Sequence, residues 1–407
     1  MIGVEEHVRR ILDTVEPLSP IDVPVEQAQD CVLAEDVVSP LDLPGFDNSA
    51  MDGYAVKVSD IAAATADSPV MLPVVGDIPA GSTERTRLVE GQTVRIMTGA
   101  PLPDGAEAVV QVEQTDHGVV RVAINQAVPA GLHIRRIGSD VRQGDLVLDA
   151  GVTIGPAQVA LLFAVGRRRV RVHPKPRVAV ISTGSELVSG RLPGFGEVID
   201  SNGPMLTACA QDAGVVVYRV GAVPDDPHSV MEALTDQLVH ADAIITTGGV
   251  SAGAYDTVKE VLSRLGTVQF DKVAMQPGMP QGFGTIGESP TPIFTLPGNP
   301  VSSFVSFEIF VRPALRKMAG QLGLFRRSEH AVVVGGWTAP AGKTQFARAV
   351  IGVDGEGRRI VRAVGAQGSH ILGGLAQANC LAVVPEDVTE VHDGDLLRCI
   401  LLERGRR

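Results

Sequence analysis

The densest group of chemically capable side chains lies in one short run, residues 45–55, which reads GFDNSAMDGYA. Two carboxylates, an amide and a hydroxyl fall within six positions there, and a strand-like segment follows directly. Such a group can hold a cation or orient a polar substrate. The same residue types also make ordinary Asx turns. We therefore keep two interpretations of Asp52, a polar site and a structural turn.

Two further polar runs accompany this motif. The segment RIMTGA places the Thr98 hydroxyl at the end of a strand, and RRIGSD brings the cation of Arg136 near the acid of Asp140 in the sequence. Residue chemistry alone therefore indicates a site for an anion and a metal, and it names no substrate.

Three predicted strands end in small polar loops, TGSE at 183–186, TGGVS at 247–251 and PGNP at 297–300. In open α/β sheets, ligands bind at the carboxyl ends of the strands. Glycines there let backbone N–H groups approach an anion, and a helix that follows favours negative charge. The alternative is that these residues only make tight turns. We expect all three loops to face one anion-binding cleft.

Several carboxylates lie close to these loops in the sequence, and carboxylate oxygens beside phosphate suit Mg²⁺. The alternative for any single acid is a solvated surface position. We favour Glu186 over the other candidates, which are Asp200, Asp225, Asp226 and Asp256.

Composition excludes several classes of function. The formal charge of −12 and an aromatic content of 4% argue against a nucleic-acid partner. There is no GxxxxGK[ST] motif and no GxGxxG after a strand, so neither a P-loop nor a dinucleotide fold is indicated. The four cysteines are widely spaced, which favours the reducing cytoplasm. We see no apolar leader and no apolar run long enough to span a membrane, so we expect a cytoplasmic protein without membrane contact.

The pattern of apolar residues, which predicts the helices and strands that position these groups, changes along the chain. Residues 4–15 have apolar side chains at helical spacing, and about 20–172 consists of short Val- and Ile-rich runs cut by Gly and Pro. From about 175, strand-like and helix-like segments alternate, which predicts a doubly wound parallel sheet. The last part, about 325–407, returns to short strands and predicts a small β module.

Seven motifs run in order along the chain: PGFDNSAMDGYAV, RIMTGAPLP, RRIGSDVRQGD, VISTGSELV, IDSNGPML, TTGGVSAGAYD and TLPGNPVSS. Together they resemble the molybdopterin molybdenumtransferase family, whose animal relative is the gephyrin E domain. The resemblance covers roughly residues 1–400.

The resemblance implies a multidomain α/β plus β protein. Domain I is made of residues 1–44, with the N-terminal helix, and 141–174, and a β-rich domain II is inserted at 45–140. A MogA-like doubly wound α/β domain III, which binds molybdopterin, is implied at 175–324, and a C-terminal β-barrel domain IV at 325–407. It also implies an elongated homodimer, with the active cleft between domain III of one subunit and domain II of the other.

The reaction implied by the resemblance takes adenylylated molybdopterin and molybdate, releases AMP and leaves molybdenum on the dithiolene sulfurs. A divalent cation, Mg²⁺, is implied with it, and a molybdopterin adenylyltransferase is the implied partner. The catalytic residues carried over are Asp52, Thr98, Asp140, Glu186, Asp226 and Asp256, of which Glu186 and Asp256 are the expected metal ligands. The substrate-binding residues expected are Arg136, Thr183, Gly248, Gly249, Ser251, Pro297, Asn299, Pro300 and Ser302.

One segment departs from the family pattern. A KPGKP-like segment with two lysines is common in the family, and residues 275–280 here read MQPGMP. Gln276 and Met279 thus replace two cations, and each lost charged hydrogen bond would weaken anion binding by roughly 1–3 kcal/mol. Lys272, about one helical turn upstream, is expected to compensate in part.

Two other functions stay open at this point. The α/β part alone also resembles molybdopterin adenylyltransferases, although the additional domains and the GFDNSAMDGYA motif argue against that activity. The lost lysines favour a non-catalytic binding or scaffold protein, whereas the retained Asp52 and Glu186 argue for an enzyme.

Overall fold

The computed structural model describes residues 1–249 and 257–402, which divide between two compact units. One, the β-rich unit, is made of Val23–Gln29 and Glu35–Val170. The other, the α/β-barrel unit, is made of Met1–Asp22, Asp30–Ala34 and Arg171–Arg407. The finer division into four domains stays a prediction.

The helices lie mainly in the second half of the chain. Their bounds are α1 Val4–Thr14, α2 Pro156–Ala164, α3 Asn202–Asp212, α4 Pro227–Leu238, α5 Thr257–Leu265, α6 Pro300–Ser306, α7 Arg312–Met318 and α8 Leu372–Gln377. A π-helical segment, Phe307–Val311, joins α6 to α7. Within the described ranges no helix has both the length and the apolar character needed to span a membrane.

Short strands make up the first part of the chain. They are β1 Ile21–Pro24, β2 Val32–Leu33, β3 Val37–Val38, β4 Asn48–Ser49, β5 Gly53–Val56, β6 Val70–Ile78, β7 Thr93–Ile96, β8 Ala108–Gln111, β9 Arg121–Ile124, β10 Ile134–Arg135, β11 Leu146–Leu148 and β12 Arg169–His173.

Longer strands dominate the rest. They are β13 Arg177–Thr183, β14 Leu187–Val188, β15 Val198–Ile199, β16 Val216–Val223, β17 Ala243–Thr247, β18 Gln269–Lys272, β19 Met275–Gln276, β20 Pro280–Ile286, β21 Thr291–Leu296, β22 Ser328–Val333, β23 Trp337–Thr338, β24 Thr344–Val353, β25 Arg359–Ala363, β26 Cys380–Val384, β27 Glu390–Val391 and β28 Leu396–Leu401.

The β-rich unit is built on a sheet with the strand order β8-β5-β7-β6-β9. Tyr54, Ile61 and Ile124 are among the fully buried side chains of its core. Beside this sheet, β4 pairs antiparallel with β10. This pairing brings the 45–55 motif next to the segment that begins at Ile134.

The α/β-barrel unit contains the predicted doubly wound sheet, in the order β16-β13-β17-β21-β20-β18. The first four strands are parallel, and β20 and β18 run antiparallel at one edge. Alternate side chains of β13 face opposite cores, since Val178 and Val180 pack with α3 whereas Ala179 and Ile181 pack with α4 and α5. Burial on both faces explains why these strands are almost uninterrupted apolar runs.

The predicted C-terminal barrel is also present. Its strands follow the order β24-β25-β22-β28-β26, and additional pairing between β24 and β26 closes the ring. Short β19 pairs in parallel with the start of β24, with Met275 opposite Thr344 and Gln276 opposite Gln345. The segment that precedes β20 is therefore joined directly to the barrel.

The N-terminal helix α1 packs on the α/β part of the same unit. Its His7 is 1% exposed and meets the ring of Phe310 edge-on at 4.7 Å. Nδ1 of His7 lies 3.1 Å from the guanidinium of Arg10. Burial, followed by the charge of Arg10, lowers the pKa of His7 to about 4.

Candidate active site

Asp52 and Thr98, which were predicted from separate motifs, are in direct contact. Oδ1 of Asp52 accepts hydrogen bonds from the backbone N–H of Thr98 at 2.6 Å and from its hydroxyl at 2.8 Å. These bonds, the backbone one first, lower the pKa of Asp52. Because the Asp52 side chain is exposed, the β-rich unit presents an ionised carboxylate to solvent at this point.

Arg136 is paired with Asp47, a partner that the sequence analysis did not identify. Nη1 of Arg136 lies 2.5 Å from Oδ2 of Asp47, and the backbone N–H of Ile137 donates to Oδ1 at 2.8 Å. The Ile137 hydrogen bond and then Arg136 lower the pKa of Asp47. Asp140 is exposed and is held through its backbone N–H, which donates to the carbonyl of Leu43. Arg136 is therefore partly neutralised before any substrate anion binds.

The carboxyl ends of β13, β17 and β21 are tied together in the α/β-barrel unit. The hydroxyl of Thr183 donates to the carbonyl of Thr247 at 3.3 Å, and the Thr247 hydroxyl donates to the carbonyl of Pro297 at 3.2 Å. Asn202, at the start of α3, donates to the carbonyl of Gly298 at 2.6 Å. The structure thus brings together the described parts of the three loops that the sequence predicted to share one edge.

Gly248 shows why this loop requires glycine. Its φ is +99°, and an added Cβ would lie 2.3 Å from the carbonyl oxygen of Thr183. Gly249, at φ +65°, would meet the side chain of Val258 at 2.6 Å. Both glycines therefore allow close packing of the loop on its neighbours, as a side chain at either position would be strained.

A cavity of about 550 Å³ opens beside these strand ends. Glu186, Pro297, Asn299 and Ser302, all predicted from the sequence, line it. Its remaining lining residues are Met275, Gln276, Pro277, Gly278, Met279, Pro280, Gly298, Lys343 and Ser369. Three other predicted residues do not line the cavity. Thr183 and Gly248 contact each other and the neighbouring strand-end loops, and Pro300 is the first residue of α6.

Lys343 is the cation that the sequence analysis missed in this cavity. It is half-buried and directly precedes β24, whose pairing with β19 brings it to the MQPGMP segment, and it lines the same cavity as Gln276. Lys272, the expected compensating cation, ends strand β18 and does not line the cavity. Met279 lines the same cavity, so the departure from the family pattern concerns the cavity wall.

Ser369 reaches the cavity on a loop that a buried arginine holds in place. Arg348 is 1% exposed, and its guanidinium donates to the carbonyls of Ala366 at 2.5 Å and Gly368 at 3.0 Å. The amide of Asn299 donates to the hydroxyl of Ser369 at 3.0 Å. Neither contact has a local signal in the sequence, because 18 or more positions separate Arg348 from this loop and 70 separate Asn299 from Ser369.

Two neighbouring acids of the β16–α4 loop differ in their surroundings. Asp226 is the N-cap of α4 and accepts from the backbone N–H groups of His228 and Ser229, and hydrogen bonds from Ser229 lower its pKa. The backbone N–H of Asp225 donates to the hydroxyl of Ser185, which adjoins Glu186. Oδ1 of Asp225 is buried with no hydrogen-bond partner among the described residues.

Two predicted residues, Ser251 and Asp256, lie outside the described ranges. Asp200, another candidate acid, is 5% exposed and accepts from Ser182 and the backbone of Gly203. Within residues 1–249 and 257–402, no three acidic, histidine or cysteine side chains converge as a metal-binding cluster would.

The fold defines an α/β protein with a cavity at the carboxyl ends of its parallel strands and an attached β-barrel. Three family models match the chain: the MoeA N-terminal region (domain I and II) at residues 2–166, the probable molybdopterin binding domain at 179–317, and the MoeA C-terminal region (domain IV) at 331–402.

Similar proteins extend over almost the whole chain. Molybdopterin molybdenumtransferase 2 of Mycobacterium tuberculosis is 48% identical over 98% of this chain and 99% of its own. Molybdopterin molybdenumtransferase 1 of the same organism is 41% identical over 98% of each. A crystal structure of a molybdopterin biosynthesis MoeA protein from Pyrococcus horikoshii matches 100% of both chains with a TM-score of 0.83 and 30% identity. The chain belongs to the molybdopterin molybdenumtransferase family.

Proposed function

We propose that the protein inserts molybdate into adenylylated molybdopterin with release of AMP, which yields the molybdenum cofactor. The observation that carries this proposal is the cavity at the sheet edge, where the carboxylate of Glu186, the cation of Lys343 and the hydroxyls of Ser302 and Ser369 line one space. A tetrahedral oxyanion binds through cations, hydroxyls and backbone N–H groups. The family membership supplies the identity of the substrates.

In the proposed reaction, water cleaves the phosphoanhydride to give AMP and molybdopterin. Molybdenum–sulfur bonds to the dithiolene then replace molybdenum–oxygen bonds, and the displaced oxygen leaves as water with the thiol protons. Lys343 attracts and orients the anion, since it is the cation that lines the cavity within the described part of the chain. Ser302, which is 4% exposed, and Ser369 donate hydrogen bonds to its oxygens.

We also propose that a divalent cation such as Mg²⁺ binds near this cavity. We assign Glu186 and Asp256 as its protein ligands, and the buried, unpartnered Oδ1 of Asp225 offers a further hard oxygen on the adjoining loop. When bound, Mg²⁺ neutralises charge on the phosphoanhydride. Independently of the cation, the backbone N–H of Asp225 donates a hydrogen bond to the hydroxyl of Ser185, which connects the two loops that carry Glu186 and Asp225.

We further propose a homodimer in which the cavity of one subunit faces Asp52, Thr98, Asp140 and Arg136 of the other. The support is that the Asp52–Thr98 pair presents an ionised carboxylate at the surface of the β-rich unit. A molybdopterin adenylyltransferase is the proposed partner, because the reaction needs an adenylylated pterin. We expect both proteins in the cytoplasm.

The test measures AMP release by the full-length protein supplied with adenylylated molybdopterin, Mg²⁺ and molybdate. We expect AMP to appear only when molybdate is present. Glu186→Gln should remove most of this activity. Glu197→Gln is the matched control, because Glu197 is half-buried, pairs with Arg191 and does not line the cavity.

Two other outcomes would contradict the proposal. Transfer of AMP to molybdopterin from Mg-ATP, without molybdate-dependent release, would indicate an adenylyltransferase. Tight binding of the adenylylated pterin without AMP release under any condition would indicate a binding or scaffold protein.

A further inference from the structure

A second cavity, of about 800 Å³, lies between α7, the chain that follows it and the barrel. Of the residues that the structure describes, five arginines and one acid, Glu329, line it. The arginines are Arg312, Arg316, Arg326, Arg327 and Arg359. All belong to the α/β-barrel unit, and none lines the cavity assigned to the proposed reaction. We call this second space the arginine cavity.

The ion pairs around the arginine cavity leave positive charge uncompensated. Arg326 binds Glu308 through Nε and Nη2, at 2.5 and 2.9 Å, and Nη2 also lies 2.8 Å from Asp212. Arg312 shares Asp212 at 3.0 Å, and Arg359 pairs with Glu329 at 3.0 Å. Within the described part of the chain, five cations thus face three carboxylates, which leaves two positive charges.

Arg316 and Arg327 are the arginines without a carboxylate partner among the described residues. Nε of Arg316 donates to the carbonyl of Gly323 at 2.6 Å, which fixes the guanidinium without neutralising it. Arg327 is exposed, so it can move toward a ligand at little cost. Both groups are therefore available to a bound anion.

Arg312 gives independent evidence that a ligand belongs here. It is 8% exposed and lines the cavity, yet its Nε has no hydrogen-bond partner among the described residues. Burial lowers the pKa of Arg312, and the neighbouring Arg326 adds to this effect. Burial, Arg312 and Arg326 likewise lower the pKa of Arg316. Crowded cations with an unpaired buried donor are what an anion would stabilise.

We propose that the arginine cavity is a second anion site, which binds inorganic phosphate or a phosphomonoester. Guanidinium groups match the oxygens of such a dianion with paired hydrogen bonds, and its two negative charges equal the uncompensated positive charge. Phe325 also lines the cavity and is 58% exposed, so an organic group attached to the phosphate has an apolar surface to contact. This site is independent of the proposed catalytic function.

The test is calorimetric titration of the full-length protein with inorganic phosphate, AMP and adenosine at constant ionic strength. Lys343→Met removes the cation of the other cavity, so binding that persists in this variant reports the arginine cavity. In that background, Arg316→Met with Arg327→Met should weaken phosphate and AMP binding at least tenfold. Arg264→Met is the matched control, since Arg264 is exposed, pairs with Glu260 and does not line the cavity.

The three titrants separate the sources of the anion. AMP binding tighter than phosphate assigns a phosphomonoester, and equal affinities assign free phosphate. Arg327→Met alone, at an exposed position, should weaken binding without lowering the melting temperature. The proposal is overturned if Lys343→Met abolishes all phosphate and AMP binding, if the double arginine change leaves affinity unaltered, or if adenosine binds as tightly as AMP.

Discussion

Replacing Lys343 by methionine is the sharpest test of how this chain manages without the two lysines of the MQPGMP segment. Lys343 lines the cavity from the barrel side, and Gln276 and Met279 line it from the α/β side. The substitution keeps the length and apolar stem of the side chain and removes its charge. If Lys343 supplies the cation that the segment lacks, anion binding should fall although the fold is unchanged.

The expected loss follows from the position of the ammonium group. A hydrogen bond to a charged partner contributes about 1.5–3 kcal/mol, and the half-buried position of Lys343 in an open cavity favours the lower end. Every 1.4 kcal/mol is a factor of ten in affinity, so Lys343→Met should weaken molybdate binding by about tenfold. Lys343→Arg should keep most of the affinity, because it keeps the charge.

The assay pairs equilibrium binding of molybdate with kcat/KM for AMP release. Lys272→Met is the control, because Lys272 is an exposed lysine that does not line the cavity. Met279→Lys should raise anion affinity in the wild type and should restore it when combined with Lys343→Met. The rescue is expected because Met279 and Lys343 line the same cavity, so a positive charge at either position can attract the same anion.

Two results would refute this reasoning. The first is wild-type affinity in Lys343→Met, which would mean that the ammonium group does not contact the anion. The second is a combined result. Lys343→Met loses anion affinity, Met279→Lys does not restore that affinity in the double variant, and Met279→Lys alone does not change the affinity of the wild type. In that case the MQPGMP segment would not belong to the anion site.

Three further predictions concern other parts of the molecule. Thr98→Val removes one of the hydrogen bonds that lower the pKa of Asp52, so this pKa should rise. The acid limb of the plot of kcat/KM against pH should then move to higher pH. An unmoved limb would mean that Asp52 does not titrate in the reaction. Gly184→Ala should reduce turnover and lower the melting temperature, because its Cβ would lie 2.6–2.9 Å from the carboxylate of Glu186 and its φ is +156°. Gly221→Ala, whose Cβ meets nothing within 4 Å, is the control, and equal activity of the two variants would speak against the prediction. The pKa of His7 is about 4 in the folded state and 6.5 in the unfolded chain, so the unfolded chain binds more protons between these pH values. The free energy of unfolding should therefore fall by about 3 kcal/mol as the pH drops from 6.5 to 4. Urea unfolding from pH 4 to 7 should show this dependence in the wild type and lose it in His7→Phe, and identical slopes would disprove it.

Local patterns in the sequence predicted the doubly wound sheet and a small C-terminal β module, and the family resemblance implied that this module is a barrel. The apolar runs AVVVGGW, FARAVIGV, RIVRAV, CLAVVP and LLRCILL correspond to the strands that close the barrel. The alternation after residue 175 correctly indicated the doubly wound sheet, because strands covered on both faces need continuous apolar runs. The edge strands β18 and β20 were not predicted, and β20 reverses the strand direction because it is antiparallel to both β21 and β18.

The cavity was only half predictable for a physical reason. Glu186, Ser302 and the PGNP loop lie at strand ends, where chain position itself points to a site. Lys343 and Ser369 come from the barrel and reach the cavity through the pairing of β19 with β24 and through the contacts of Arg348. Such long-range pairings leave no local signature, and for the same reason the sequence suggested Lys272 in place of Lys343.

The pairing of Arg136 with Asp47 shows a related limit. Both residues stood in motifs that were recognised as polar, yet Asp140 was the acid expected to matter beside Arg136. The antiparallel pairing of β4 with β10 decides which carboxylate meets the guanidinium. Predicting residue types at a site is therefore easier than predicting their partners.

The central claim is that Glu186 in one subunit and Asp52 in the other complete one active site. Mixing the inactive variants Asp52→Ala and Glu186→Gln tests it most directly, with AMP release as the readout and subunit exchange verified by native mass spectrometry. Random exchange makes half of the dimers mixed, each with one intact site, so the account predicts recovery of about a quarter of wild-type activity. Verified exchange with no recovery would contradict it.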